Sequence, residues 1–165
     1  MIRRAFLLIV GAMTLGSCAD YHPLYANSGV SSSATEQLSE VSIEPQNTRA
    51  GQLLRNNLLE GMGSSRNPHF VLRLVISEHT NTVSALSVNL PSRMRYSLVV
   101  DFSLVEMANG HIAVSGKSFS NVSYDSLNQP VSDMAAASNA MSRAATDSSQ
   151  DIRQRIAAFF STRKS

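Results

Sequence analysis

The 165-residue chain has one cysteine, no tryptophan and, in Lys117 and Lys164, only two lysines; 16% of it is charged. A lone cysteine excludes a disulfide within the molecule and leaves no second thiolate for a zinc site. The apolar run Ala5–Leu15 is eleven residues long, whereas a helix needs about 20 to cross a bilayer core. That run therefore reads as an export signal and not as a span. Charge of one sign is also missing. With residues 1–17 removed, Arg3 and Arg4 leave with them and 12 basic residues face 12 acidic ones across 148 positions. The sequence pI of about 9.0 overstates the basicity of that product, and nothing supports nucleic-acid binding through a basic surface.

What is present begins at the end of the apolar run. Leu15-Gly16-Ser17-Cys18 follows the positive pair Arg3-Arg4 and resembles the lipobox of bacterial lipoproteins. The resemblance implies that Cys18 becomes the first residue of the exported chain and carries a diacylglycerol and an amide-linked acyl chain. Each acyl CH₂ buried in lipid contributes about 0.8 kcal/mol, and more than one chain makes anchoring stable. Ala19 follows the cysteine directly and Asp20 comes one later, which resembles the pattern sent to the outer membrane, on its periplasmic side. The expected organisation is a removed signal over 1–17, an anchored arm and linker over 18–40, and one domain over 41–165. The arm holds Tyr21-His22-Pro23-Leu24-Tyr25, extended because Pro23 disfavours helix at His22. Asn27–Glu40, rich in Ser, Thr and Gly, reads as linker.

Within the domain, Val41-Ser42-Ile43 alternates and stops at Pro45, as a short strand does. Thr48 offers an N-cap hydroxyl to a helix in which Ala50, Leu54, Leu58 and Met62 recur every four residues, closed by Gly61 and Gly63. Phe70, Leu72, Leu74 and Ile76 line one face of a strand. Glu78–Leu90 is less regular and fits either an extension of that strand or a loop. Arg93–Glu106 alternates most cleanly, and Ala108-Asn109-Gly110 turns it into Ile112–Tyr124. A two-residue turn would set Phe102 against Lys117. A three-residue loop with Gly110 at positive φ pairs Leu104 with Val114, Phe102 with Gly116, Tyr96 with Val122, Met94 with Tyr124, Asp101 with Lys117 and Val99 with Phe119. Because a one-residue slip reverses every side chain, the longer loop is favoured. Met134, Ala137, Met141, Ala144, Ala145, Ile152, Ile156, Phe159 and Phe160 mark a long helix from Pro130, with a kink expected near Thr146–Ser149. The order β-α-β-β-β-α predicts an α+β two-layer sandwich: a mainly antiparallel four-stranded sheet with two helices on one face.

Signals for chemistry are few. Gly116-Lys117-Ser118 looks like the end of a phosphate-binding loop, but the motif needs a glycine at 111, where His stands, and a strand-to-helix turn. His22, His69, His79 and His111 are scattered, and no serine sits in a Gly-x-Ser-x-Gly turn. Asp101 finds an ion-pair partner in Lys117. No nucleophile and base can be assembled, so the expectation is a protein that is not an enzyme and uses no cofactor or metal. What is left is the sheet face away from the helices, shared by Arg73, Arg95, Lys117, Val99 and Phe119. Arginine suits phosphate because its planar fork gives paired hydrogen bonds. Arg93 and Arg95, two apart at the strand's start, are expected on opposite faces, so both serve one ligand only if that end frays.

Cys18 through Tyr25, with Tyr21-His22-Pro23-Leu24-Tyr25 at its centre, and the order strand, helix, three strands, long helix resemble the lipopolysaccharide-assembly lipoprotein LptE family, in its alphaproteobacterial form. The resemblance covers most of the exported chain. It implies a plug inside the LptD β-barrel, a part in barrel assembly and in delivery of lipopolysaccharide to the outer leaflet, and contact with that ligand through basic residues near strand ends. Arg93 and Arg95, with Lys117 and Arg73, are the positions to which this role carries. The loop Asp125–Asp133 has no basic residue and departs from the family pattern. The alternative from another class is a lipid-anchored periplasmic adaptor or chaperone for a different outer-membrane client.

Overall fold

A computed structural model describes residues 37–64, 66–85 and 92–163. The signal, Cys18 and the Tyr21–Tyr25 arm fall outside these residues, as does the segment 86–91. The elements are β1 (Val41–Ile43), α1 (Arg49–Met62), β2 (Phe70–Ala85), β3 (Ser92–Glu106), β4 (Ile112–Ser126) and α2 (Pro130–Thr162). The four strands form one sheet in the order β1-β2-β3-β4. β1 runs parallel to β2, with Val41 opposite Phe70 and Ile43 opposite Leu72, so α1 is the crossover a parallel pair requires. The other pairings are antiparallel. The fold is thus the expected two-layer α+β sandwich.

Local chemistry sets the boundaries. The Thr48 Oγ1 accepts the Gly51 N–H at 3.1 Å, which satisfies one of the donors a helix start leaves open. Ala50, Leu54, Leu58 and Met62 are buried, and Gly63 ends α1 at φ 86°, donating to the Leu59 carbonyl. The β3–β4 turn differs from the expected three-residue loop: the Glu106 N–H donates to the His111 carbonyl at 2.9 Å, which closes a four-residue loop, Met107–Gly110, with Gly110 at φ 71°, and a bulge at Ala113, between the pairs Val105–Ile112 and Leu104–Val114, restores the expected register beyond it. The six cross-strand pairs expected from the sequence all form. Gly116 lies in mid-strand, where a Cβ would come within 2.9 Å of the Phe102 ring. Its smallness makes room for an aromatic neighbour and has nothing to do with phosphate.

Even-numbered positions of β2, β3 and β4 face the helices. Leu72, Leu98, Val100 and Leu104 are fully enclosed with Leu54 and Leu58 of α1 and Ile152 and Ile156 of α2. Phe70 and Phe160 meet edge-to-face at 5.3 Å between centroids, a geometry aromatic rings favour. Over β4, α2 buries small residues, Ala140, Ala144, Ala145 and Ser148, against a strand whose inward residues include Ser118 and Ser120.

One open reading closes and three expectations change. The irregular stretch after Ser77 is strand as far as Ala85, with a break in register between Thr82 and Ser84. α2 runs unbroken through Thr146–Ser149, whose hydroxyls bond back to carbonyls of their own helix, Thr146 to Ser142 and Ser149 to Thr146. Its apolar stripe starts at Ala140 and not at Met134, which is 75% exposed. Ala136 and Asn139 already stand beside Tyr124 near the end of β4, so Met134 lies a turn beyond the core. Finally, the linker does not reach Glu40: Gln37–Ser39 form a helical turn and Leu38, at 6% exposure, belongs to the core.

Candidate functional site: the open sheet face

Because both helices lie on one side, the odd-numbered residues of β2, β3 and β4 form an open face. It is built of cross-strand rows: Arg73-Ser103-Ser115, Val75-Asp101-Lys117, Ser77-Val99-Phe119, His79-Ser97-Asn121 and Asn81-Arg95-Ser123, with Arg93 opposite Asp125 beyond. The centre is apolar and wet: Val75 is 66% and Phe119 65% exposed. Beside it the Lys117 ammonium meets the Asp101 carboxylate at 3.1 Å, the ion pair expected from register. Arg93 Nε lies 3.9 Å from the Asp125 carboxylate. Arg73 and Arg95 are exposed and form no ion pair among the described residues.

The structure corrects one expectation here. Arg93 and Arg95 share the open face, since side chains two apart in a strand point the same way and β3 pairs without interruption from Ser92 through Arg95 with β4. No fraying is needed for both to meet one ligand. The four basic residues do not form one cluster, however. Arg73 lies opposite Ser103, eight residues along β3 from Arg95, or about 27 Å at ~3.4 Å per residue. Arg93 and Arg95 mark one end of the face, Arg73 the other, and Lys117 stands between them. Cys18 lies outside the described residues.

At the end of the sheet near Arg73 a second feature appears that sequence reasoning missed. A cleft of about 580 Å³ opens between the start of β2 and the end of α2, floored by Phe70, Phe160 and Met107. His69 Nδ1 and Glu40 Oε2 lie 2.9 Å apart on its rim, and Arg163 pairs with Glu106 at 2.9 Å while its guanidinium lies 5.7 Å from the Phe70 ring centroid. Hydrogen bonds from Asn109 and then Arg163 hold the Glu106 carboxyl below the usual carboxylate range. These pairs join residues 29 and more positions apart, and no local spacing announces them. Among the described residues no three His, Cys, Asp or Glu side chains are grouped to hold a metal, and no helix is long and apolar enough to cross a membrane.

The fold of this small α+β domain is shared with solved proteins that bear the name lipoprotein. A Caulobacter crescentus protein assigned as a lipoprotein superposes with TM-score 0.67 at 24% identity, over 78% of this chain and 96% of that one. A minor lipoprotein of Acinetobacter baumannii gives 0.52 at 16% identity, over 72% and 90%. The likeness in both is one of fold. No protein-family model and no curated protein matches the chain.

Proposed function

We propose that this chain is an outer-membrane lipoprotein of the LptE type, anchored through Cys18 on the periplasmic side, that occupies an LptD-like β-barrel and assists delivery of lipopolysaccharide. The observation that carries the reading is the open sheet face. A domain in water gains nothing by exposing Val75 and Phe119 on one face with unpaired arginines. A domain enclosed by a wide, polar-lined barrel has that face covered, and its near-neutral, Ser- and Asn-rich surface suits such an enclosure better than one strong charge would. The pair Arg93 and Arg95, at the end of the face, offers two planar forks on one side of the sheet for phosphate groups. The lipobox pattern and the fold shared with named lipoproteins support the anchor.

The test is purification of the tagged full chain from detergent-solubilised outer membranes. A large β-barrel protein is expected in equal amount, together with lipopolysaccharide, and Arg93→Ala with Arg95→Ala is expected to keep the barrel and lose most of the lipopolysaccharide. A chain that emerges without a barrel, and is digested by protease in intact outer membranes, overturns the plug and favours the adaptor reading. Mass spectrometry of Cys18 checks the anchor independently: an unmodified thiol there removes it.

A further inference from the structure

The helical layer covers the sheet unevenly. α1 starts at Arg49 and reaches along β2 only to Ile76, whose Cδ1 lies 3.1 Å from where a Cβ on Gly51 would stand. Beyond that point β2 runs on to Ala85, and its helix-side residues Glu78, Thr80 and Thr82 are exposed. α2 also continues past the start of α1. The Arg49 guanidinium donates to Ser138 Oγ at 3.4 Å, and α2 extends from there back to Pro130, with no second helix beside it among the described residues. Ser138, Met134 and Val131, four and then three positions apart, follow one flank of α2, the flank that Arg49 meets. The result is a recess on the helix side of the sheet: α2 is its wall, the amino end of α1 closes it, and the extended strands are its floor.

The chemistry of the recess divides along its length. Val131, at 83% exposure, and Met134 are the most exposed large apolar side chains among the described residues. From Ser138 to Val131 the wall is about 10 Å long at ~1.5 Å per residue. Polar groups of the floor already have partners: the Thr82 hydroxyl donates to Met94 Sδ at 3.4 Å, and Glu78 accepts the Tyr96 hydroxyl. At the closed end the balance is positive. Arg49 forms no ion pair among the described residues, and α1 has no acidic residue in its first turn to offset the partial positive charge of a helix start.

We infer that this recess takes one acyl chain of a glycerophospholipid, with the phosphodiester on Arg49 and the chain laid along Met134 and Val131. Charge and shape select the occupant. One unpaired guanidinium matches the single negative charge of a phosphodiester, and its planar fork suits phosphate oxygens. The apolar side chains continue in line from that cation, as the tail of an amphiphile continues from its head, and grouped exposed apolar side chains mark a contact site. Arg93 and Arg95 take no part, since they lie on the opposite face of the sheet. The inference goes beyond the lipopolysaccharide reading and does not depend on the barrel: a chain that purifies without one leaves the recess as it is.

The test places a photoreactive benzophenone amino acid at Val131 of the full chain in living cells and weighs the purified chain after irradiation. An added mass equal to one glycerophospholipid is expected. Arg49→Glu should lower the yield of that adduct by about fivefold or more, as loss of a charge-assisted contact does. A carboxylate suits a helix start, so this variant is expected to keep the melting curve of the unaltered chain. Met134→Asp, at an exposed position, should lower the yield as well and decides the matter if the first variant fails to fold. The same benzophenone at Val75, exposed on the other face, is the control for lipid that is merely nearby. No adduct at Val131, an adduct to a protein or to lipopolysaccharide, an equal phospholipid yield at Val75, or a yield that survives both substitutions overturns the proposal.

Discussion

Tyr96 carries the only phenol among the buried described residues. Its ring is 5% exposed and its hydroxyl donates to Glu78 Oε2 at 2.7 Å. Burial first, then the bond to Glu78 and the charge of that carboxylate, push the phenol well above its ordinary value of 10.0. A group whose pKa is raised on folding adds stability that is complete below the unfolded value and is lost as pH rises toward the folded one. Unfolding free energy should therefore fall above pH 10. Tyr96→Phe should cost about 1 kcal/mol at pH 7, the net worth of a typical hydrogen bond, and flatten that alkaline decline. Urea melts of both proteins at pH 7 and above pH 10 check this, and equal alkaline slopes would refute it. Residues whose partners are set by strand register were legible in advance: Asp101 with Lys117, Phe102 with Gly116, Val99 with Phe119. Residues whose partners come from distant chain were not, which is why Glu40 with His69 and Glu106 with Arg163 went unseen. Arg93 and Arg95, two apart in one strand, share a face by alternation alone.

Elements were readable where one face is buried, because burial forces a period. α1 shows its four-residue spacing and its cap, and the β3–β4 hairpin shows alternation strong enough to fix the register of the two strands, though not the four-residue loop and the bulge at Ala113 that together produce it. β2 beyond Ser77 was ambiguous for the same reason in reverse: Ser77–Ser84 are all exposed, and without a buried side there is no pattern to read. The hairpin yields its own prediction. Gly110 stands at φ 71° with nothing within 4 Å of where a Cβ would lie, so a side chain there meets only its own backbone. Gly110→Ala should cost about 1–2 kcal/mol, the penalty of left-handed backbone for an L-residue, and Gly110→Asn less, since asparagine tolerates that region. Thermal melts rank the three proteins. If alanine proves neutral, the bulged loop is not what holds the register.

At the scale of the whole molecule the domain has three kinds of surface: a helical layer that closes the core, an open sheet face, and a cleft at one end. The start of the domain belongs to that end. Composition places the boundary at Val41, because Asn27–Glu40 is polar and rich in serine. The described part of the domain nevertheless includes the helical turn Gln37–Ser39, and the reason is a single side chain. Leu38 is buried in the core, while the Glu40 carbonyl accepts the His69 N–H at 3.0 Å and so ties the segment to the start of β2. One leucine in a polar stretch carries no periodicity, which is why sequence could not show it. A chain cut to begin at Val41 loses that leucine, the Glu40 bond and one wall of the cleft. Truncating a buried leucine costs about 2–5 kcal/mol, a large share of the ~5–15 kcal/mol that holds a domain together. Denaturation by urea of chains beginning at Gln37 and at Val41 should separate them by at least the lower figure, with Leu38→Ala in the longer chain falling between. If the two unfold at the same midpoint, Leu38 adds nothing to the core and the boundary reverts to Val41.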